Sequence, residues 1–209
     1  MPPYPPSHPT ESNPSETKGP VMTTIMFMCT GNQCRSPIGE FTMRRLLAER
    51  GIQGIDVTSA GILRYPAHPI DPSAAALLKA DGNDPQAIDD FRSTVLTREM
   101  SAAADLILCF ERGQIGELLS QYPTARARTF LFDDAVNACR SMKLNGYFDA
   151  DTTTDARIQR LIDDTPLIRP FLPKARETTD PHRQPQEVFE RVHGEITRGL
   201  VTIIDALAV

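Results

Sequence analysis

The sequence predicts an α/β fold: a four-stranded parallel sheet with helices on both faces, stacked in three layers. Three observations predict it. The short strand-like runs are apolar from end to end, as strands covered on both faces are. They alternate along the chain with helical segments, the pattern of parallel strands joined by right-handed crossovers. A glycine-containing turn follows the first run directly and opens into a helix, at the kind of strand end where open parallel sheets bind ligands. The length, 209 residues, suffices for one domain with a substantial core.

Residues 1–20, MPPYPPSHPTESNPSETKGP, are rich in Pro, Ser, Thr and Glu and nearly free of aliphatic residues. Such a segment buries too little surface to offset its ordering entropy and reads as a disordered tail. Met22, just before the first apolar run, is a candidate biological start. Residues 21–209 read as a single domain. TTIMFM (23–28) is the first strand and CTGNQCRSP the turn after it. A helix follows from Pro37 to about Arg50, with Pro37 suited to a first helical position and Gly51 to a terminator. IDVTSAG (55–61) is the second strand. Asp71-Pro72 is an N-cap and first-turn pair, opening a helix through Ala74, Leu77 and Leu78 to Gly82. Thr97–Ala103 is a short helix, DLILCF (105–110) the third strand, Glu111–Gln121 a helix and RTFLF (128–132) the fourth strand. In the last helix Val188, Phe189, Val192, Ile196, Leu200, Ile203 and Leu207 recur at three- and four-residue steps. Residues 133–179 hold the polar stretch DADTTTDAR, one helix near Arg157–Asp163, and Pro166, Pro170 and Pro173. They are long for a connection and read as an insertion packed on the main domain. The whole is a Rossmann-like sandwich.

Bulk composition narrows the function. A net charge of -5 excludes a general nucleic-acid binder, which needs a basic surface to displace counterions, but leaves open a local anion pocket. The four cysteines, Cys29, Cys34, Cys109 and Cys139, are too few for a secreted disulfide scaffold. No apolar stretch is long enough to span a bilayer, and the N-terminus has no apolar core of a secretory signal. A cytoplasmic protein with no membrane partner is expected.

The chemistry concentrates in Cys29-Thr30-Gly31-Asn32-Gln33-Cys34-Arg35-Ser36-Pro37. A glycine-containing loop at this place can curl so that the backbone N–H groups of residues 30 to 35 point inward as an anion cradle. The helix behind it adds the positive end of its dipole. Cys29 then lies at the bottom of the cradle and Arg35 at its rim, where its fork grips two oxygens of a tetrahedral oxyanion. Those surroundings favour the thiolate, the form that attacks. Ser36 is placed to donate its hydroxyl to it. Asn32 suits the strained position of the loop, since Asn tolerates left-handed backbone angles. His68, His182 and His193 have no ligand spacing, so no metal and no cofactor are expected.

This nine-residue string resembles the phosphate loop of the low-molecular-weight protein-tyrosine-phosphatase family, Cys-x-Gly-Asn-x-Cys-Arg-Ser-Pro. The likeness continues in order through Ser59-Ala60-Gly61, the Asp105–Phe110 strand, Asp180-Pro181 and Phe189 in the last helix, and covers most of residues 22–209. It implies hydrolysis of a phosphate monoester, on a protein or a small molecule, through a phosphocysteine on Cys29. It further implies Asp180 as general acid and then base, Arg35 and residues 30–35 as phosphate binders, and inorganic phosphate as product. It also implies that side-chain hydrogen bonds hold Asn32, and that Cys34 can trap Cys29 in a protective disulfide. Gln33 and Gly39 depart from the family's usual aliphatic residue and Ala. Phe91-Arg92-Ser93-Thr94 stands where members carry an element that brace the loop. His182 replaces the aromatic residue that follows Asp-Pro in tyrosine-specific members, and Tyr65 is the candidate for the missing cleft wall, against ordinary loop packing. Asp133 and Asp134 are the fallback acids. Cys109 is expected to be buried and Cys139 at or near the surface. Two alternatives stay open: a thiol-dependent arsenate reductase on the same loop, and a non-catalytic phosphoprotein-binding module. A disulfide oxidoreductase is disfavoured, because Cys29 and Cys34 lack the Cys-x-x-Cys spacing.

Overall fold

In the computed structural model, which describes residues 22–209, the first apolar run forms β1 (Thr23–Cys29). Ile25, Met26, Phe27 and Met28 are all fully buried, so both faces of the strand are covered. The tail read at residues 1–20 lies outside the described residues. The partners of β1 are β2 (Ile55–Gly61) and β3 (Leu106–Cys109), and β4 (Thr129–Leu131) closes the far side of β3. The sheet order is β2-β1-β3-β4 and all pairings are parallel. The chain therefore leaves β1 to one side for β2 and returns to its other side for β3. The carboxyl end of β1 sits at this reversal, the place where such sheets open a crevice for ligands.

The helices are α1 (Arg35–Glu49), α2 (Pro72–Ala80), α3 (Pro85–Asp90), α4 (Arg98–Ala103), α5 (Arg112–Gln121), α6 (Phe132–Leu144), α7 (Thr154–Ile168) and α8 (Gln186–Leu207). Ile25 and Phe27 face a layer built mainly by α1, α6 and α8, with Ile38, Ala138, Val192 and Ile203 in the seam. Met26, Met28 and Ile107 face the other way, toward Leu118 of α5 and Ala125. Alternation along a strand sends neighbouring side chains to opposite faces, and here both faces are dry.

Several elements differ from the sequence expectation. The first helix begins at Arg35, two residues early, with Cys34 as N-cap and Pro37 in the third helical position. No intrahelical N–H is needed there either, so the proline is accommodated. Helix α3 was not anticipated, although it repeats the Asp-Pro start of α2: Asp84 accepts from Gln86 N–H at 3.0 Å, as Asp71 does from Ser73 N–H. The run RTFLF is split, since β4 ends at Leu131 and Phe132 opens α6. Asp133 and Asp134 occupy the first turn of α6, where the helix dipole favours acids. The stretch read as an insertion therefore begins with a helix that belongs to the core: Ala135, Ala138, Cys139 and Met142 are fully buried and α6 lies along α8. Cys139, expected at or near the surface, is completely enclosed, and burial pushes its thiol up to about 12. Helix α7 extends beyond the expected 157–163, with Pro166 in its last turn.

Candidate active site

The loop from Cys29 to Arg35 curls at the carboxyl end of β1. Two neighbours fix its path. The carbonyl of Cys29 and that of Thr30 accept from Ile62 N–H, at 3.1 and 3.0 Å. Gly61 lies so close beneath the loop that a Cβ there would stand 3.0 Å from the nitrogen of Asn32 and from the carbonyl carbon of Gly31. Only glycine allows that approach. The strand-end Ser-Ala-Gly of β2 is thus a floor for the loop.

Asn32 takes φ +53°, the left-handed region expected of it. Its amide nitrogen donates to Ser36 Oγ at 2.9 Å and Ser59 Oγ at 2.8 Å, and its amide oxygen accepts from Thr94 N–H at 2.8 Å. The brace comes from a main-chain N–H of the segment 91–94 together with Ser59. Cys29 Sγ accepts from Asn32 N–H at 3.2 Å and lies 3.0 Å from Ser36 Oγ. The N–H groups of Thr30, Gly31, Gln33 and Cys34 have no acceptor among the described residues. Unused N–H groups around a sulfur atom form a preset anion cradle.

Arg35 departs from the expected rim position, being 1% exposed. Its Nη1 donates to the Glu111 carboxylate and, at 3.0 Å, to the carbonyl of Thr178. Its Nη2 pairs with Asp180 Oδ2 at 3.0 Å. Its Nε is buried with no partner, a donor that an enclosed oxyanion would take. Three segments therefore position one guanidinium: the end of β3, the irregular stretch before α8, and α1 itself. Gln114 locks the first of these. Its side-chain oxygen accepts from Phe110 and Glu111 N–H, at 2.9 and 3.1 Å, and its nitrogen donates to Thr30 Oγ1 at 3.2 Å. Thr178 N–H donates to the carbonyl of Phe110 at 3.0 Å, which pins the acid segment to the same strand end.

Cys29, Thr30, Gly31, Gln33, Cys34, Arg35, Tyr65, Asp180 and His182 line one cleft of about 80 Å³. Of the residues singled out by sequence, Asn32 and Ser36 stand behind this wall as supports, and Tyr65 takes its place in the wall. Asp133 and Asp134 do not line it: Asp133 accepts from Arg176 N–H at 2.8 Å, and Asp134 pairs with Arg169 at 2.7 Å. Cys34 and Cys109 are buried, and burial is the main reason their thiols are pushed far up, with Asp71 and Cys29 adding to the effect for Cys34. Sequence reading missed Glu111, Gln114 and Thr178. The one signal for Glu111 is a carboxylate directly after an apolar strand, at the sheet end where the loop lies.

Residues 24–165 match the sequence profile described as low molecular weight phosphotyrosine protein phosphatase. The chain is similar to the low molecular weight protein-tyrosine-phosphatase Etp of Escherichia coli, 30% identical over 84% of this chain and 88% of Etp. It is similar also to a protein-arginine-phosphatase of Bacillus subtilis, 31% identical over 54% of this chain and 71% of that one. Among solved structures, the low molecular weight protein tyrosine phosphatase of T. tengcongensis covers 88% of this chain and 98% of its own, with a TM-score of 0.65 at 23% identity. The tyrosine phosphatase AmsI of Erwinia amylovora covers 89% and 93%, with a TM-score of 0.62 at 24% identity. At those identities the structural likeness establishes the four-stranded α/β fold.

Proposed function

The chain belongs to the low molecular weight phosphotyrosine protein phosphatase family and is a cysteine-dependent phosphatase; we propose that Cys29 is its nucleophile and Asp180 its general acid and base. The observation that carries this reading is the Cys29 sulfur at the base of a cleft ringed by four unused N–H groups and the unpartnered Nε of Arg35.

The reaction runs in two displacements. Cys29 thiolate forms a bond to phosphorus as the bond to the leaving oxygen breaks, and Asp180 gives that oxygen its proton. Water then attacks the phosphocysteine, Asp180 takes a proton from it, and inorganic phosphate leaves with the thiolate restored. Ser36, 3.0 Å from Cys29 Sγ, stabilises the departing sulfur in the second step. The loop amides and Arg35 hold the equatorial oxygens throughout, a fixed electrostatic complement to the transition state. Arg35 Nε is free for this from the start. Nη2 becomes free only when Asp180 releases it and swings to the leaving oxygen. Glu111 and the Thr178 carbonyl keep Nη1 and thereby hold the fork in place.

The substrate is a phosphorylated protein in the cytoplasm, and phosphotyrosine is the preferred reading, with Tyr65 as the aromatic wall beside the ring. A relative named as an arginine phosphatase supports testing phosphoarginine beside it, because Gln33 and His182 give this cleft polar walls. Arsenate reduction by an internal disulfide relay is less well supported, since Cys109 and Cys139 are enclosed.

The test is phosphate release from an aryl phosphate at mildly acidic pH. Wild type is expected to turn over and Cys29→Ser to be inactive, while Asp180→Asn loses about 10²–10⁴-fold in kcat. Folded wild-type protein that releases no phosphate would overturn the assignment.

A further inference from the structure

At the wall of the cleft, which Cys34 and His182 help to line, Cys34 Sγ, an Asp71 carboxylate oxygen and a His182 ring nitrogen all lie within 4.8 Å of one another. They come from three separate segments: the N-cap of α1, the N-cap of α2 and the loop before α8. His182 Nδ1 is 3.6 Å from Asp71 Oδ2. Bonds of about 2.0–2.1 Å to nitrogen and oxygen in a tetrahedral site set such ligands about 3.3 Å apart. Asp71 caps α2 with its other oxygen, Oδ1, at 3.0 Å from Ser73 N–H, so Oδ2 is the atom turned toward His182. Burial first, and the Asp71 carboxylate after it, hold the Cys34 thiol in its protonated form.

We propose that Cys34, Asp71 and His182 form a binding site for a zinc-class divalent cation, which holds the acid loop against the phosphate loop and so inhibits the enzyme. Sulfur, imidazole nitrogen and carboxylate oxygen together are the donor set of zinc rather than of magnesium or calcium. Binding replaces the Cys34 S–H bond with a bond from sulfur to the metal, and the proton goes to solvent. His182 gives the lone pair of Nδ1 and Asp71 that of Oδ2, and water completes the fourth position. His182 lies two residues after Asp180, and its N–H donates to Asp180 Oδ1 at 3.2 Å. A metal that fixes His182 therefore keeps Asp180 on Arg35, at 3.0 Å, and denies a phosphate that arm of the fork. The binding site stands on geometry alone; its inhibitory effect rests on the phosphatase reading.

Cobalt is the spectroscopic probe. The full chain carrying Cys29→Ser, titrated with Co²⁺, is expected to show a sulfur-to-cobalt charge-transfer band with the visible bands of a tetrahedral ion. Adding Cys34→Ser to that background abolishes the band. His182→Gln, at an exposed position where folding is not at stake, weakens displacement of cobalt by Zn²⁺ about tenfold or more. In protein with Cys29 intact, Zn²⁺ inhibits phosphate release, and His182→Gln needs about tenfold more for the same effect. A cobalt band that survives Cys34→Ser, no band at all, or zinc inhibition indifferent to His182→Gln overturns the proposal. A chain that binds cobalt through Cys34 but hydrolyses no phosphate ester overturns the phosphatase reading instead and leaves the site standing.

Discussion

Asn32 holds a backbone angle that costs most residues energy, and its side chain uses both ends to keep it, with three hydrogen bonds to Ser36, Ser59 and the main chain of Thr94. Asn32→Ala removes all three at once. The loop amides then lose their aim, and displacement by about 1 Å costs an active site about 10²-fold. The expected result is a loss of that order in kcat/KM toward an aryl phosphate, with the far-ultraviolet circular dichroism unchanged. Unchanged turnover would show that the loop keeps its shape without the brace. At this scale the sequence was informative where a side chain itself marks the candidate site: Cys29, Asn32, Arg35, Ser36 and Asp180 are all brought together. It was silent where main-chain atoms act. The Thr94 N–H and the Thr178 carbonyl have no residue signature, since any amino acid but proline supplies the first and any at all the second. Glu111 escaped because a carboxylate after a strand is common, and only the fold brings it to Arg35 from 76 residues away.

Helix α1 presses on β1 through Gly39. A Cβ at that position would stand 2.7 Å from the ring of Phe27, which is fully buried and flanked by Phe110 and Phe132 at 6.4 and 6.5 Å. Alanine at an interior helix position normally gains up to about 1 kcal/mol over glycine. Here overpacking against an immobile ring costs about 1–3 kcal/mol, so the clash wins. Gly39→Ala is therefore expected to lower the thermal midpoint by a few degrees, against the helix-propensity trend; a higher midpoint would show that α1 can slide outward at little cost. Element types were otherwise well marked, and the failures have a common cause. In α6 the buried residues include the polar Asp134 and Asn137 beside Ala135, Val136, Ala138, Cys139 and Met142, so composition alone does not mark the covered face. Its first residue, Phe132, also continues the β4 run without a break. In α3, six residues are too few to show a period at all.

At the scale of the whole molecule, α8 joins what the sheet separates. It lies against α1, α2, α6 and α7, and Val192, Ile196, Leu200 and Ile203 are completely enclosed along its length. Leu200→Ala leaves a cavity in that seam and is expected to cost about 2–5 kcal/mol in a single cooperative denaturant transition. Two resolved transitions would mean that α8 and the sheet unfold as independent units. The long amphipathic stripe made α8 legible from sequence, whereas its partner α6 was not, so the thickness of that layer emerged only from the structure. The placement of the catalytic parts has a consequence for how the protein is made. Arg35 reaches its carbonyl partner Thr178 across 143 positions of chain, and Asp180 lies beyond that. Synthesis runs from the N-terminus, so Cys29 and its loop leave the ribosome long before the segment that steadies the guanidinium and carries the proposed acid. On the proposed mechanism, a truncated or stalled product thus carries the Cys29 thiol without the carbonyl that steadies Arg35 and without the proposed acid.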